Sequence, residues 1–250
     1  LAHALGITAS KAEPVSVFVR LFKDVCTISL DTSGAALHKR GYKQAVGKAP
    51  MRETLAAMFL RQCAFKGDEP LVDPMCGSGT FVLEAAAKAA GQMPGQHRSF
   101  AFEDLPSFDE ASFEALRGFE TKQADSPQFF GYDRDQGAIK GAVSNAVRAG
   151  LSDWCQFNHQ ALSALEPPTQ QPGLVMVNPP YGGRIGETGD LVALYSALGK
   201  VLKQRFAGWR VGLVTSEASL AHKTGLPFYD LADPVDHGGI KIQLFRSSVL

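Results

Sequence analysis

The sequence has little with which to build a metal centre or a disulfide framework. Its 250 residues hold four cysteines, Cys26, Cys63, Cys76 and Cys155, and six histidines. No Cys-x-x-Cys pair occurs and no cysteine stands at zinc-finger spacing from a histidine, so no metal is expected. Scattered thiols in this number read as free cysteines of a reducing cytoplasm. Long apolar runs are missing too: none approaches the ~18 residues of a membrane helix, and no membrane partner is expected. Residues 1–20 carry no basic-then-apolar leader, and no Asn-x-Ser/Thr sequon occurs. There is no excess charge, since 25 Lys and Arg face 25 Asp and Glu. Global electrostatics therefore do not advertise a nucleic-acid partner, although a local basic patch would suffice. The phosphate-binding pattern G-x-x-x-x-G-K-[ST] is absent. So is a full G-x-G-x-x-G, because Val82 stands in its third glycine position.

What is present is the balance of a soluble globular protein, 45% apolar and 20% charged. The length fits one large domain or two small ones. Val15–Phe22 and Val25–Asp31 are β-rich, and Lys23-Asp24 between them predicts a hairpin turn. Residues 1–45 are too few to bury much of a core alone. They read as an N-terminal extension, or as the tail of a preceding domain, and the first residue, Leu rather than Met, predicts a piece of a longer chain. Residues 46–250 form the second expected domain. Pro50 suits a helix start before Met51–Phe65. Strands at Pro70–Asp73, Gln128–Asp133, Trp154–His159, Leu174–Asn178 and Trp209–Thr215 then alternate with helices at Thr80–Ala90, Ser107–Gln123, Gln136–Ala149 and Asp190–Arg205. That alternation predicts an α/β fold with a mostly parallel sheet. Two late strands, Gly225–Leu231 and Gly239–Phe245, lack a helix between them and suit a terminal antiparallel hairpin, for seven strands in all.

Ligands of open α/β sheets sit at the carboxyl ends of strands, and three such ends carry unusual residues. The first is Asp73-Pro74-Met75-Cys76-Gly77-Ser78-Gly79-Thr80. Gly77 and Gly79 allow close backbone approach, Asp73 offers an acceptor, and the loop opens into a helix N-terminus. Alone, this is as well read as a plain strand–helix connection. The second end is Gly131-Tyr132-Asp133. An acid there can hold two ribose hydroxyls, or, taken alone, cap the next helix. Together the two ends favour nucleoside binding. The third, Asn178-Pro179-Pro180-Tyr181-Gly182, is the most specific. Pro-Pro removes two N–H donors and fixes φ twice, leaving carbonyls and the Asn178 amide side by side with an aromatic ring next to them. Such a site can accept two hydrogen bonds from an exocyclic amine and stack on its ring. Upstream, His38, Lys39, Arg40, Tyr42, Lys43, Lys48 and Arg52 gather cation and aromatic character. They read either as an RNA contact or as an ordinary solvated face.

These blocks in this order resemble the class I S-adenosylmethionine-dependent methyltransferases, whose Asn-Pro-Pro-Tyr form belongs to enzymes that methylate amino groups. With Leu37–Tyr42 and Met51–Ala57 added, they resemble the THUMP-linked RNA methyltransferases, in particular the bacterial large-subunit rRNA guanine-N2 enzymes. The resemblance implies a Rossmann-like domain with helices on both faces. It implies S-adenosyl-L-methionine as cofactor, S-adenosyl-L-homocysteine as product, and no metal. Cofactor contacts would come from Asp73, Pro74, Cys76, Gly77, Gly79, Thr80, Asp133 and Asn178. Catalysis would come from Asn178, Pro179, Pro180 and Tyr181, with Asn178 Oδ1 and the Pro179 carbonyl accepting from the guanine amine and Tyr181 stacking. RNA contacts would come from His38, Lys39, Arg40 and Tyr42, with 23S rRNA as partner. Arg98 and Arg184 are lesser candidates for RNA, and Phe100, Phe102, Phe108, Phe113 and Phe119 suit core or interdomain packing. A duplex base could not reach the pocket, so the target is single-stranded or flipped. Two departures stand out. Gln160-Ala161 replaces the acid expected after the third strand of the α/β alternation, and Gly183-Arg184 replaces the acid after the Asn-Pro-Pro-Tyr-Gly block. The alternatives are an adenine-N6 methyltransferase of DNA or RNA and a catalytically idle RNA-binding fragment.

Overall fold

The structure, a computed structural model, describes residues 15–44, 51–96, 98–117, 122–126, 128–181 and 188–250. Lys48, Pro50, Phe119, Gly182, Gly183, Arg184 and the first part of the expected extension lie outside them. The chain divides into two compact units.

In the first unit, β1 (Ser16–Phe22) and β2 (Val25–Asp31) pair antiparallel in continuous register from Ser16–Asp31 to Phe22–Val25. Lys23 and Asp24 both take positive φ, 48° and 61°, the requirement of a two-residue type I′ turn whose twist matches the strands. The same unit takes in residues 93–119, which were expected in the second domain. Their helix α3 (Glu110–Arg117) begins three residues later than the expected Ser107–Gln123, and residues 118–121 of that expected span lie outside the described residues. Phe113 meets Phe100, Phe102 and Phe108 edge-on at 4.9–6.2 Å, so these four rings form a local core for the segment.

The second unit comprises residues 42–92 and 120–250. Four strands, β3 (Leu71–Asp73), β4 (Phe129–Asp133), β5 (Cys155–His159) and β6 (Leu174–Val177), pair parallel in the order β5-β4-β3-β6, and β7 (Arg210–Thr215) pairs parallel with β6. The helices of this unit are α1 (Glu53–Gln62), α2 (Thr80–Ala90), α4 (Gln136–Ala149), α5 (Thr188–Arg205) and α6 (Ala218–Lys223). The two-residue period of the strands divides the core. Leu71, Phe129, Leu174 and Met176 join α1, α2 and α4 on one face, while Val72, Phe130, Val175 and Val177 join α5 and α6 on the other. With both faces covered, each of these side chains contributes about 1.5–3 kcal/mol of burial.

The late strands pair antiparallel at the sheet edge, as expected. After β8 (Phe228–Leu231) and β9 (Val235–His237), β10 (Ile240–Ser247) inserts antiparallel between β7 and β8, giving the order β5-β4-β3-β6-β7-β10-β8. The short α6 and β9 were not expected. The order reverses between β3 and β6, so the carboxyl ends of β3, β4 and β6 converge on the crevice where such sheets hold ligands.

Candidate active site

Asp73 ends β3 almost fully enclosed, and its Oδ1 accepts the Met75 N–H at 3.1 Å. Burial pushes this carboxyl well above the usual range, and the nearby Asp133 charge adds to the effect. The loop is strapped down by its backbone: the Cys76 N–H donates to the Tyr132 carbonyl at 2.9 Å, and the Gly79 N–H to the Cys76 carbonyl at 2.8 Å. Gly77 and Gly79 both take positive φ, 52° and 82°. Their roles differ, however. A Cβ on Gly79 would lie 3.0 Å from the Phe157 ring, whereas one on Gly77 would meet nothing within 4 Å. Gly79 is a packing glycine; Gly77 is where the backbone faces open space. Pro74, Cys76 and Thr80 are buried, and Met75, which no sequence signal singled out, is a more exposed neighbour of Gly77. Burial, then the Asp73 and Asp133 charges, push the Cys76 thiol well above its ordinary value, so it remains a packed thiol.

Asp133 ends β4 and does not cap the next helix. Asp135 does, its Oδ1 accepting the Gly137 and Ala138 N–H groups at 2.7 and 3.3 Å. Asp133 Oδ2 accepts the Gly77 N–H and its Oδ1 the Asp135 N–H, both at 2.9 Å. The carboxylate thus ties the glycine loop to β4, and each oxygen keeps a lone pair for a further donor. The Gln160 N–H reaches the Asp133 carbonyl at 2.9 Å, bringing the end of β5 to the same place.

Asn178 follows the fully buried β6. Its Oδ1 is buried and has no hydrogen-bond partner among the described residues. A buried acceptor in that state is uncommon in a folded protein and costs free energy, which makes Oδ1 a candidate to receive a ligand's donor. Pro179 is buried. Tyr181 is 6% exposed and sits in the core cluster with Phe81 and Met176, so its ring is packed inward rather than presented for stacking.

The basic window is less of a surface than its composition implies. Tyr42 is buried and its hydroxyl donates to Glu84 Oε1 at 2.8 Å. Arg40 is buried and donates to the Pro94 carbonyl at 3.2 Å. The Lys43 ammonium lies 3.3 Å from the buried Glu53 carboxylate, and burial lowers its pKa. Lys39 and Arg52 are exposed and His38 is half-buried. Arg98 lies over the Phe100 ring and donates to the Ser33 carbonyl, a structural use of the cation. One functional neighbour carried no sequence signal. Arg148 donates to the Tyr42 carbonyl at 2.8 Å and to Asn145 Oδ1, and Asn145 Nδ2 donates to the Ser78 carbonyl at 3.1 Å. This strut braces the glycine loop from α4, and only its 67-residue loop-to-helix separation hid it. Among the described residues no three His, Cys, Asp or Glu side chains gather as a metal site. None of the described helices is long and apolar enough to cross a membrane.

Residues 40–226 match the family model UPF0020, described as RMKL-like, methyltransferase domain. The chain is 40% identical over 223 residues to ribosomal RNA large subunit methyltransferase K/L of Vibrio campbellii, an alignment covering 84% of this chain and 31% of that protein. It therefore spans about a third of the length of the curated relatives it matches. Among solved structures, SMU.472 in complex with SAH superposes with a TM-score of 0.86 at 28% identity, over 100% of this chain and 67% of that one. A predicted N6-adenine-specific DNA methylase from Listeria monocytogenes superposes at 0.80 with 31% identity, over 94% of this chain and 60% of that one.

Proposed function

The chain belongs to the RMKL-like methyltransferase domain family, and from that premise we propose that it methylates the exocyclic N2 amine of a guanine in large-subunit (23S) rRNA, with S-adenosyl-L-methionine as donor. The observation that carries the amine chemistry is the orphaned Asn178 Oδ1 at the end of β6. When bound, the cofactor supplies an electrophilic methyl on a sulfonium. The residues present fit it: Gly77 offers open backbone, and Asp133 offers two oxygens with remaining lone pairs. Asp73, beneath the loop, holds Met75 in place. Asn178 Oδ1 and the Pro179 carbonyl then accept hydrogen bonds from the two amine N–H groups. This favours a localised lone pair on a nitrogen otherwise conjugated with the base, and in-line displacement needs only that orientation.

RNA contact in the first unit rests on the exposed Lys39, with His38, rather than on the buried Arg40; in the second, Arg52 is exposed and Tyr42 is buried. The hairpin supports a further reading, that residues 1–45 join this domain to an upstream THUMP-type RNA-binding module. Phe18, Leu21, Phe22 and Val25 are 60, 76, 56 and 62% exposed, more apolar surface than a free hairpin keeps. A cytoplasmic setting accords with an rRNA substrate.

The test is to incubate the chain with labelled S-adenosylmethionine and large-subunit rRNA, then digest and identify the methylated nucleoside. N2-methylguanosine is expected. N6-methyladenosine would replace the guanine reading with the adenine one, to which the name of the Listeria relative points. Cofactor binding without transfer to any RNA would favour a non-catalytic fragment.

A further inference from the structure

A Pro-Pro pair gives a loop no N–H by which to be held, so its carbonyls are the only backbone handles. One of them is gripped from below. Tyr195, on α5 and 0% exposed, places its hydroxyl 3.3 Å from the Pro180 carbonyl and 3.1 Å from Thr215 Oγ1. Thr215, also fully buried, ends β7 and accepts the Glu217 N–H at 3.2 Å. A phenol has one proton to serve both neighbours. The Tyr195 hydroxyl is the donor of both contacts, its proton shared between Thr215 Oγ1, which also accepts the Glu217 N–H, and, last, the Pro180 carbonyl. Burial holds the Tyr195 phenol up at about 12, so the proton stays in place across the working range of pH. At 3.3 Å the last bond is long, as hydrogen bonds at reacting sites commonly are before their ligands arrive and tighten them.

We infer that Tyr195 is a positioning residue for the Asn178–Tyr181 segment: by holding the Pro180 carbonyl inward and tying it to the end of β7, it fixes the direction in which Asn178 Oδ1 and the Pro179 carbonyl face the acceptor amine. The inference rests on the reading that Asn178 binds that amine. It assigns the two proline carbonyls different tasks, Pro180 to the scaffold and Pro179 to the substrate. No motif contains Tyr195, which lies 15 residues beyond Pro180 in sequence.

The test is Tyr195→Phe, which keeps the ring and removes only the hydroxyl. Two readouts are taken on the full chain. Methyl transfer to rRNA should fall in kcat by about ten-fold or more, the effect of a small misplacement of reacting groups. KM for RNA and affinity for S-adenosylhomocysteine should stay within about two-fold, since no binding contact is lost. Amide hydrogen exchange should accelerate at Asn178 and Tyr181 and stay unchanged in β3 and β4. Thr215→Val provides the second variant. It should lower kcat less than Tyr195→Phe, and the double variant should be no slower than Tyr195→Phe, because both act through one chain of bonds. Unchanged kcat with unchanged exchange at Asn178 and Tyr181 overturns the inference, as does a purely additive double variant. Should the parent chain transfer no methyl to any RNA, the functional reading fails by itself, and the exchange measurement still decides whether Tyr195 holds the loop.

Discussion

Replacing Asn178 with alanine should abolish methyl transfer while leaving the protein as stable as before, or more so. The expectation comes from one atom. Asn178 Oδ1 is buried without a partner among the described residues, and a desolvated acceptor left unsatisfied costs about 1–3 kcal/mol. Alanine removes that cost, offset by the modest packing of a half-buried amide. The net change should run from about zero to 2 kcal/mol in favour of folding. For a domain of this size 1 kcal/mol moves Tm by about 2–4 °C, so the variant should melt at the parent temperature or several degrees above it. Asn145→Ala is the matched control. That amide is fully buried and bridges the Ser78 carbonyl and the exposed Arg148, so its loss strands the buried Ser78 carbonyl at about 1–3 kcal/mol and should lower Tm by several degrees. Thermal denaturation of the three proteins, with calorimetry against S-adenosylhomocysteine and a transfer assay, makes the comparison. If Asn178→Ala destabilises as much as Asn145→Ala, Oδ1 has a structural partner and the argument from its orphaned state is wrong. Parental activity in Asn178→Ala would remove the residue from the reaction altogether.

Asp133→Ala should weaken S-adenosylhomocysteine binding at least about ten-fold by calorimetry, since it deletes a charge-assisted acceptor that also ties down Gly77; unchanged affinity would contradict its assignment. Asp73 carries a pH signature. Its folded carboxyl is raised, so the stability contributed by its protonated form is complete below 3.8 and lost as pH rises through the higher folded value. Asp73→Asn should flatten that decline in urea midpoints measured at successive pH values, and an identical slope in both proteins would show that Asp73 does not produce it. Brief alkylation of the native protein should label Cys26, the exposed thiol, and spare Cys63, Cys76 and Cys155, which are buried; burial pushes the Cys63 thiol up to about 12. Mass spectrometry showing early modification of Cys76 would mean that its loop opens.

The sheet was legible because parallel strands buried on both faces must be solid apolar runs. Leu174–Val177 and Arg210–Thr215 fall within the runs that predicted them, and α4 begins and ends where its pattern does. The carboxyl end of the chain was read less well, since α6 has six residues and β9 three, too short for either period to register. The insertion of β10 between β7 and β8 is a question of which edge is free, and local pattern does not encode that. Residues 93–119 look like part of the α/β alternation in sequence, yet the Phe102 N–H donates to the Thr32 carbonyl at 3.0 Å and Arg98 to the Ser33 carbonyl at 2.7 Å, bonds distant in sequence that tie them into the unit of the hairpin.

The site divides along a similar line. Residues that act through position on a strand end were readable; residues that act through a partner distant in sequence were not. Asp133 shows how far counting alone can go. A cap must directly precede the first helical residue, so that its oxygen reaches the N–H groups two and three positions on. Asp135 meets that condition for a helix starting at Gln136, and Asp133 lies too far back. The competing structural role therefore falls to a neighbour, and Asp133 is left to the glycine loop and to the proposed cofactor contact. No comparable count exists for Tyr42. A tyrosine in a run of cations looks like a stacking platform, but Glu84, one turn into α2, needs a donor because it is itself buried, and the Tyr42 hydroxyl supplies it. Lys43 follows the same logic against Glu53. Buried carboxylates on α1 and α2 thus draw part of the basic window inward, and what remains for RNA is set by which cations those acids leave unclaimed.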